Sequence, residues 1–186
     1  MKKYLVQDVM VPLAEYATVS EAATLYEAVL ALEKAQEEFD HSRYRHRAIL
    51  VLDDKQQVIG KISQIDIIRA LEPRYFEMTN YDGLTRFGFS KKFIGSLMEQ
   101  YSMWQDPLAN LCQKAATLKV KQIMQIPTEG EYVAADALLE VAMHQLVLGH
   151  HQSLLVIEEK KIVGILRLTD VFATIFHIMK ASCAIP

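Results

Sequence analysis

An internal repeat constrains this chain more than any other feature of its sequence. Val6-Gln7-Asp8-Val9-Met10 matches Val120-Lys121-Gln122-Ile123-Met124, and a proline follows each block, Pro12 and Pro127. Thr18-Val19-Ser20-Glu21-Ala22-Ala23 then parallels Tyr132-Val133-Ala134-Ala135-Asp136-Ala137. Next, Ala48-Ile49-Leu50-Val51-Leu52-Asp53-Asp54 parallels Ser153-Leu154-Leu155-Val156-Ile157-Glu158-Glu159. Last, Val58-Ile59-Gly60-Lys61-Ile62-Ser63-Gln64-Ile65-Asp66 parallels Ile162-Val163-Gly164-Ile165-Leu166-Arg167-Leu168-Thr169-Asp170. Matched blocks in a preserved order mean that one supersecondary unit occurs twice.

Each copy predicts a short extended piece after the proline, then a helix. Leu25, Val29 and Leu32 share one face in the first copy, and Leu138, Val141, Ala142 and Leu146 do so in the second. Ser20 is the expected N-cap of the first helix, with Glu21 beside the positive end of its dipole. The apolar runs Ala48–Leu52 and 154–157 read as buried strands. Polar turns join them to second strands at 58–62 and 162–166, as hairpins. A closing helix carries Ile67, Ile68 and Leu71 in one copy and Val171, Ile175, Ile178 and Met179 in the other. One such unit, about 60 residues long, is marginal alone. Two copies can bury their sheet faces against each other, which predicts an α/β fold of two pseudo-twofold-related repeats.

Composition excludes several classes. Apolar residues make up 51% of the 186, enough for a sizeable interior. A formal charge of −3 gives no reason to expect DNA or RNA. Cys112 and Cys183 are the two cysteines and lie far apart, which speaks against a disulfide framework and for a reducing, cytoplasmic setting. Residues 1–8 carry no apolar run of the kind a secretory leader needs. The longest apolar stretch, 162–179, contains Arg167, Asp170 and His177, so no membrane span is expected.

These blocks resemble the CBS domain, named after cystathionine β-synthase, which occurs as a pseudo-symmetric pair. The resemblance covers about two-thirds of the chain and assigns 1–72 to a first repeat, 73–119 to a helical insert and 120–182 to a second repeat. Its most specific element is a strand bearing Gly, then a small hydroxyl residue, then Asp three places on. Copy one has it complete in Gly60, Ser63 and Asp66; copy two has Gly164 and Asp170, but Arg167 at the hydroxyl position. Copy one also has about ten extra residues around 33–44.

The resemblance implies a regulatory module without catalysis. It would bind AMP, ADP, ATP or S-adenosylmethionine in the cleft between repeats, form a homodimer and signal to a protein partner. By position, Asp66 and Asp170 would hold ribose hydroxyls and Ser63 would lie near phosphate. His46, Arg47 and Ala48, with His151, Gln152 and Ser153, would touch base or phosphates, and Thr18 and Tyr132 would contribute. The alternative is a ligand-free scaffold for dimerisation or partner docking.

The residues themselves leave both readings open. Ser63-x-x-Asp66 at a helix start is also a capping pattern that needs no ligand, although a helix N-terminus suits phosphate. Arg167 cannot cap a helix; it is either a bidentate phosphate ligand or a surface arginine on a degenerate half-site. Arg43-Tyr44-Arg45-His46-Arg47 reads as a solvated loop or as a phosphate-facing cluster in which Arg47 points inward. His144, His150 and His151 lack metal-ligand spacing, so no metal is expected. No nucleophile elbow, Walker loop or HExxH pattern occurs. The insert is rich in aromatics (Tyr75, Phe76, Tyr81, Phe87, Phe89, Phe93, Tyr101, Trp104) and reads as core, dimer contact or docking surface.

Overall fold

The computed structural model describes residues 3–39, 44–71, 96 and 110–182. In chain order its elements are β1 (Val11–Pro12), β2 (Thr18–Ser20), α1 (Leu25–Glu38), β3 (Ala48–Leu52), β4 (Val58–Ser63), α2 (Gln64–Leu71), α3 (Leu111–Thr117), α4 (Val120–Ile123), β5 (Tyr132–Ala134), α5 (Leu139–Leu148), β6 (Ser153–Glu158), β7 (Lys161–Arg167) and α6 (Leu168–Ser182). Each repeat is a parallel pair followed by a hairpin, β2-β3-β4 in the first and β5-β6-β7 in the second. The two hairpins and their following helices lie where the apolar runs predict them.

The repeats exchange their first segments. β1, from the start of the chain, pairs antiparallel with β7 of the second repeat, Val11 opposite Ile165 and Pro12 opposite Gly164. Reciprocally, the Gln125 and Lys61 amides each donate to the other's carbonyl, at 2.8 and 3.0 Å, which joins the second repeat's leading segment to β4. The apolar residues follow the backbone. Val6 and Val9 are buried in the second repeat's core with Leu139, Leu154 and Leu166. Val120 and Ile123 are buried in the first repeat's core with Leu25, Ile49 and Ile62. A third cluster of Val11, Tyr16, Phe39, Leu50, Leu155 and Ile165 joins the two sheets.

The shared glycines sit where these segments cross. A Cβ on Gly164 would lie 2.5 Å from the Val11 carbonyl oxygen and 2.9 Å from Met10 Sδ. One on Gly60 would lie 2.7 Å from Met124 Sδ and 3.2 Å from the Gln125 carbonyl oxygen. Glycine is therefore a close-approach residue in both copies.

Three local expectations change. Helix α1 starts four residues later than Ser20 implies, because Thr24 and Glu27 form a reciprocal capping box. Ser20 instead accepts a bond from the Ala22 amide, and Glu21 pairs with Lys121 at 2.6 Å. In α5 the buried face is Leu139, Ala142 and Leu146, while Leu138 and Val141 are exposed. Leu138 precedes the first turn and forms a bridge to Leu5, which rotates the apolar face by one position. Ile68 and Met179 also face outward. The extra residues of copy one partly lengthen its helix, α1 having 14 residues and α5 having 10. The insert's aromatics all lie outside the described residues, and α3 falls within the expected helical insert at 73–119.

The crossing contacts set an order of damage. Gly164→Ala forces its methyl against backbone and is expected to lower unfolding free energy by about 3 kcal/mol. Gly60→Ala meets the movable end of Met124 first and is expected to cost less, about 1 kcal/mol. Denaturant titration of both variants checks the order; equal or reversed costs would contradict it.

Candidate functional site

Buried polar side chains converge on one region between the repeats. Among the described residues, those with buried polar or charged character are His46, Asp66, Glu131, Ser153, Arg167 and Asp170. Such groups need partners when water is removed. Here each carboxylate has found one, and Glu131, Ser153 and Arg167 border a single cleft of about 350 Å³. Its walls include Arg47, Ala48, Lys61 and Ser63 from the first repeat, and Gln125, Glu131, His151, Gln152, Ser153 and Arg167 from the second.

Two helix N-termini open on this cleft. Ser63, Gln64 and Ile65 start α2 on one side, and Arg167, Leu168 and Thr169 start α6 on the other. First-turn amides and aligned peptide dipoles favour an anion at such a place. Arg47 is exposed at the wall and adds positive charge.

The two repeats begin these helices differently. In the first, the Ser63 amide and hydroxyl donate to Asp66 Oδ2 at 2.9 and 2.5 Å, and the Asp66 amide returns a bond to Ser63 Oγ at 3.3 Å. Asp66 Oδ1 accepts from the Gln125 side-chain amide at 2.6 Å, with Arg69 at 3.4 Å. This is the capping pattern expected from the sequence, with a cross-repeat donor added. In the second repeat, Arg167 Nε and Nη2 donate to the two oxygens of Asp170 at 2.5 and 2.6 Å. Arg167 Nη1 donates to the Tyr44 carbonyl at 2.8 Å and lies 3.2 Å from His46 Nδ1. Arg167 is 4% exposed, so the surface-arginine reading is corrected. The guanidinium is drawn inward because a carboxylate, a carbonyl and an aromatic face all await it there.

Tyr16 closes the same interior, packing edge-on to His46 with ring centres 4.4 Å apart. Burial pushes its phenol up to about 12. On the opposite wall Lys61 pairs with Glu131, which also accepts from the Thr128 amide at 2.8 Å. Burial would raise the Glu131 carboxyl, but the Lys61 and Thr128 hydrogen bonds and the Lys61 charge outweigh it and hold the group below the usual glutamate range.

The structure therefore brings Arg47, Ala48, Ser63, His151, Gln152, Ser153 and Arg167 to one wall or another of the cleft. Asp66 and Asp170 are buried just behind it, and His46 lies fully buried beside Arg167. Thr18 and Tyr132 are half-buried and outside its lining. Sequence reasoning missed Tyr16, Lys61, Gln125 and Glu131. Lys61 sits within a matched block, but its neighbour across the cleft is visible only once the repeats are folded together. No group of three or more His, Cys, Asp or Glu able to hold a metal occurs among the described residues.

The CBS domain family model matches residues 6–73 and 120–177, which together exceed half of the chain. The chain belongs to the CBS domain family. The Arabidopsis thaliana CBS-pair protein CBSX2 has a similar solved structure, with TM-score 0.62 at 19% identity, covering 96% of this chain and 99% of that one. A crystal structure of CBSX2 in complex with AMP matches with TM-score 0.59 at 19% identity, covering 94% and 98%. A putative acetoin utilization protein from Vibrio cholerae matches with TM-score 0.59 at 14% identity, covering 100% and 99%. At these identities the likeness shows the CBS-pair fold. No curated protein matches the chain in sequence. Among the described residues no helix is long and apolar enough to cross a membrane.

The Lys61–Glu131 pair predicts acid sensitivity. The Glu131 carboxyl is lowered in the fold, so its stabilisation is complete above the unfolded value, about 4.3, and is lost as pH falls through the folded value. Unfolding free energy measured from pH 6 down to pH 3 is expected to fall less steeply in Glu131→Gln than in the wild type. Parallel curves would show that the pair contributes nothing.

Proposed function

We propose that this CBS pair is a regulatory module that binds an adenine nucleotide between its repeats. AMP, ADP, ATP and S-adenosylmethionine are the candidate ligands. The observation that carries this reading is the meeting of two helix N-termini, Arg47 and Lys61 in one cleft. In this reading the phosphate lies at the start of α2 against Arg47 and draws Lys61 from Glu131. The ribose hydroxyls replace the Gln125 amide on Asp66, exchanging one neutral donor for another. The AMP complex of CBSX2 supports a nucleotide as the ligand class.

Signalling follows from Gln125. Its backbone holds the second repeat's leading segment on β4, and its side chain holds Asp66. A ligand that takes Asp66 from Gln125 binds one arrangement of the repeats better than the other, which is what allosteric control requires. The module has no catalytic role of its own in this reading; a cytoplasmic protein partner reads the change.

Thermal unfolding tests the ligand. At about 100 times its dissociation constant the correct nucleotide is expected to raise the melting temperature by roughly 5–10 °C, and Asp66→Ala is expected to abolish the rise. A flat response to all four compounds and to NAD would sink the reading in favour of a ligand-free scaffold.

A homodimer belongs to the same proposal. Leu168, Phe172, Phe176 and Met179 form an exposed stripe at helical spacing along α6, and Ile65 and Ile68 are exposed on α2. Exposed apolar surface of this extent marks an association face. Phe172→Glu is expected to convert a dimer into a monomer by sedimentation velocity, and a wild-type monomer at micromolar concentration would refute the assignment.

A further inference from the structure

Two departures from the repeat pattern, unrelated in sequence, meet in space. One is Arg167, standing where the first copy has Ser63. The other is the extra length of copy one around 33–44. Phe39 and Tyr44 come from that extra length, and both receive Arg167: the guanidinium carbon lies 5.4 Å from the centre of the Phe39 ring, and Nη1 donates to the Tyr44 carbonyl at 2.8 Å. His46, directly downstream, lies 3.2 Å from the same nitrogen. The first repeat thus supplies a socket for an arginine of the second.

We propose that Arg167 is a built-in occupant of the second half-site, leaving the module one exchangeable nucleotide site per chain. The proposal rests on the nucleotide reading above and deepens it. The half-sites differ in what a ligand must displace. At Asp66 the donor on the cleft side is the neutral Gln125 amide, and Gln125 itself lines the cleft. At Asp170 both oxygens are held by one guanidinium, with the pair's side chains 5% and 8% exposed. Displacing Arg167 would separate two buried charges and empty its aromatic and carbonyl socket, so a ribose cannot compete for Asp170. The arginine fulfils locally the role that a bound ligand has in the first half, and it ties the repeats together without one.

Isothermal titration with AMP and with ATP reads the stoichiometry directly. The wild type is expected to bind one nucleotide per chain, Asp66→Ala none, Arg167→Ser two, and Asp66→Ala combined with Arg167→Ser one. Circular dichroism establishes that each variant is folded. Two nucleotides on the wild type, or one on a folded Arg167→Ser, would overturn the proposal while leaving nucleotide binding intact. A wild type that binds none would overturn the proposed function and, with it, the single exchangeable site. If Arg167→Ser does not fold, the wild type decides. A single site abolished by Asp66→Ala supports the proposal; two sites, one site surviving Asp66→Ala, or no binding overturns it.

Discussion

Everything in this fold depends on the reciprocal exchange of the leading segments. Val6 and Val9 complete the second core, and Val120 and Ile123 complete the first. Neither repeat can finish its interior or satisfy its outer strand alone, because the missing apolar residues and backbone partners are carried by the other. The duplication is thus more than two small domains in contact. It couples them, and a displacement at one crossing, such as Gln125 on β4, is felt by the repeat that owns the segment and by the one that receives it.

That coupling also forms the cleft. Crossing brings Gln125 to Asp66 and leaves the starts of α2 and α6 facing a common space. The buried polar groups gather there because it is where strand ends and helix starts from both repeats leave backbone and side-chain polarity away from water. The two repeats resolve that polarity differently. In the first, a hydroxyl, a neutral amide and a more distant Arg69 share one aspartate; in the second, a single arginine holds both oxygens. Pseudo-symmetry of the backbone is compatible with inequality of the chemistry, since a single side-chain exchange changes the second without disturbing the first.

Much of this was legible in the chain. The hairpins, the glycine at each crossing, the helix starts at Ser63 and Arg167 and the CBS-pair resemblance all come from local patterns or from matched order. The capping geometry of Ser63 and Asp66 was readable because it spans three residues. The rotated face of α5 was not, because the Leu5–Leu138 bridge that sets it comes from the far end of the chain. Ser20 looked like a cap because nothing in its residue type distinguishes it from Thr24, whose partner Glu27 is what starts the helix.

The sequence by itself determined the unit, its duplication and the asymmetry at Ser63 and Arg167, since these are properties of order, spacing and residue type. Where Arg167 goes was decided by tertiary structure alone. Its partners Phe39, Tyr44 and His46 lie more than a hundred residues away, and an arginine's long stem lets it reach solvent or interior equally well from the same backbone position. Folding chose the interior because a carboxylate, a carbonyl and an aromatic face were already assembled there. No local pattern in a sequence records that assembly.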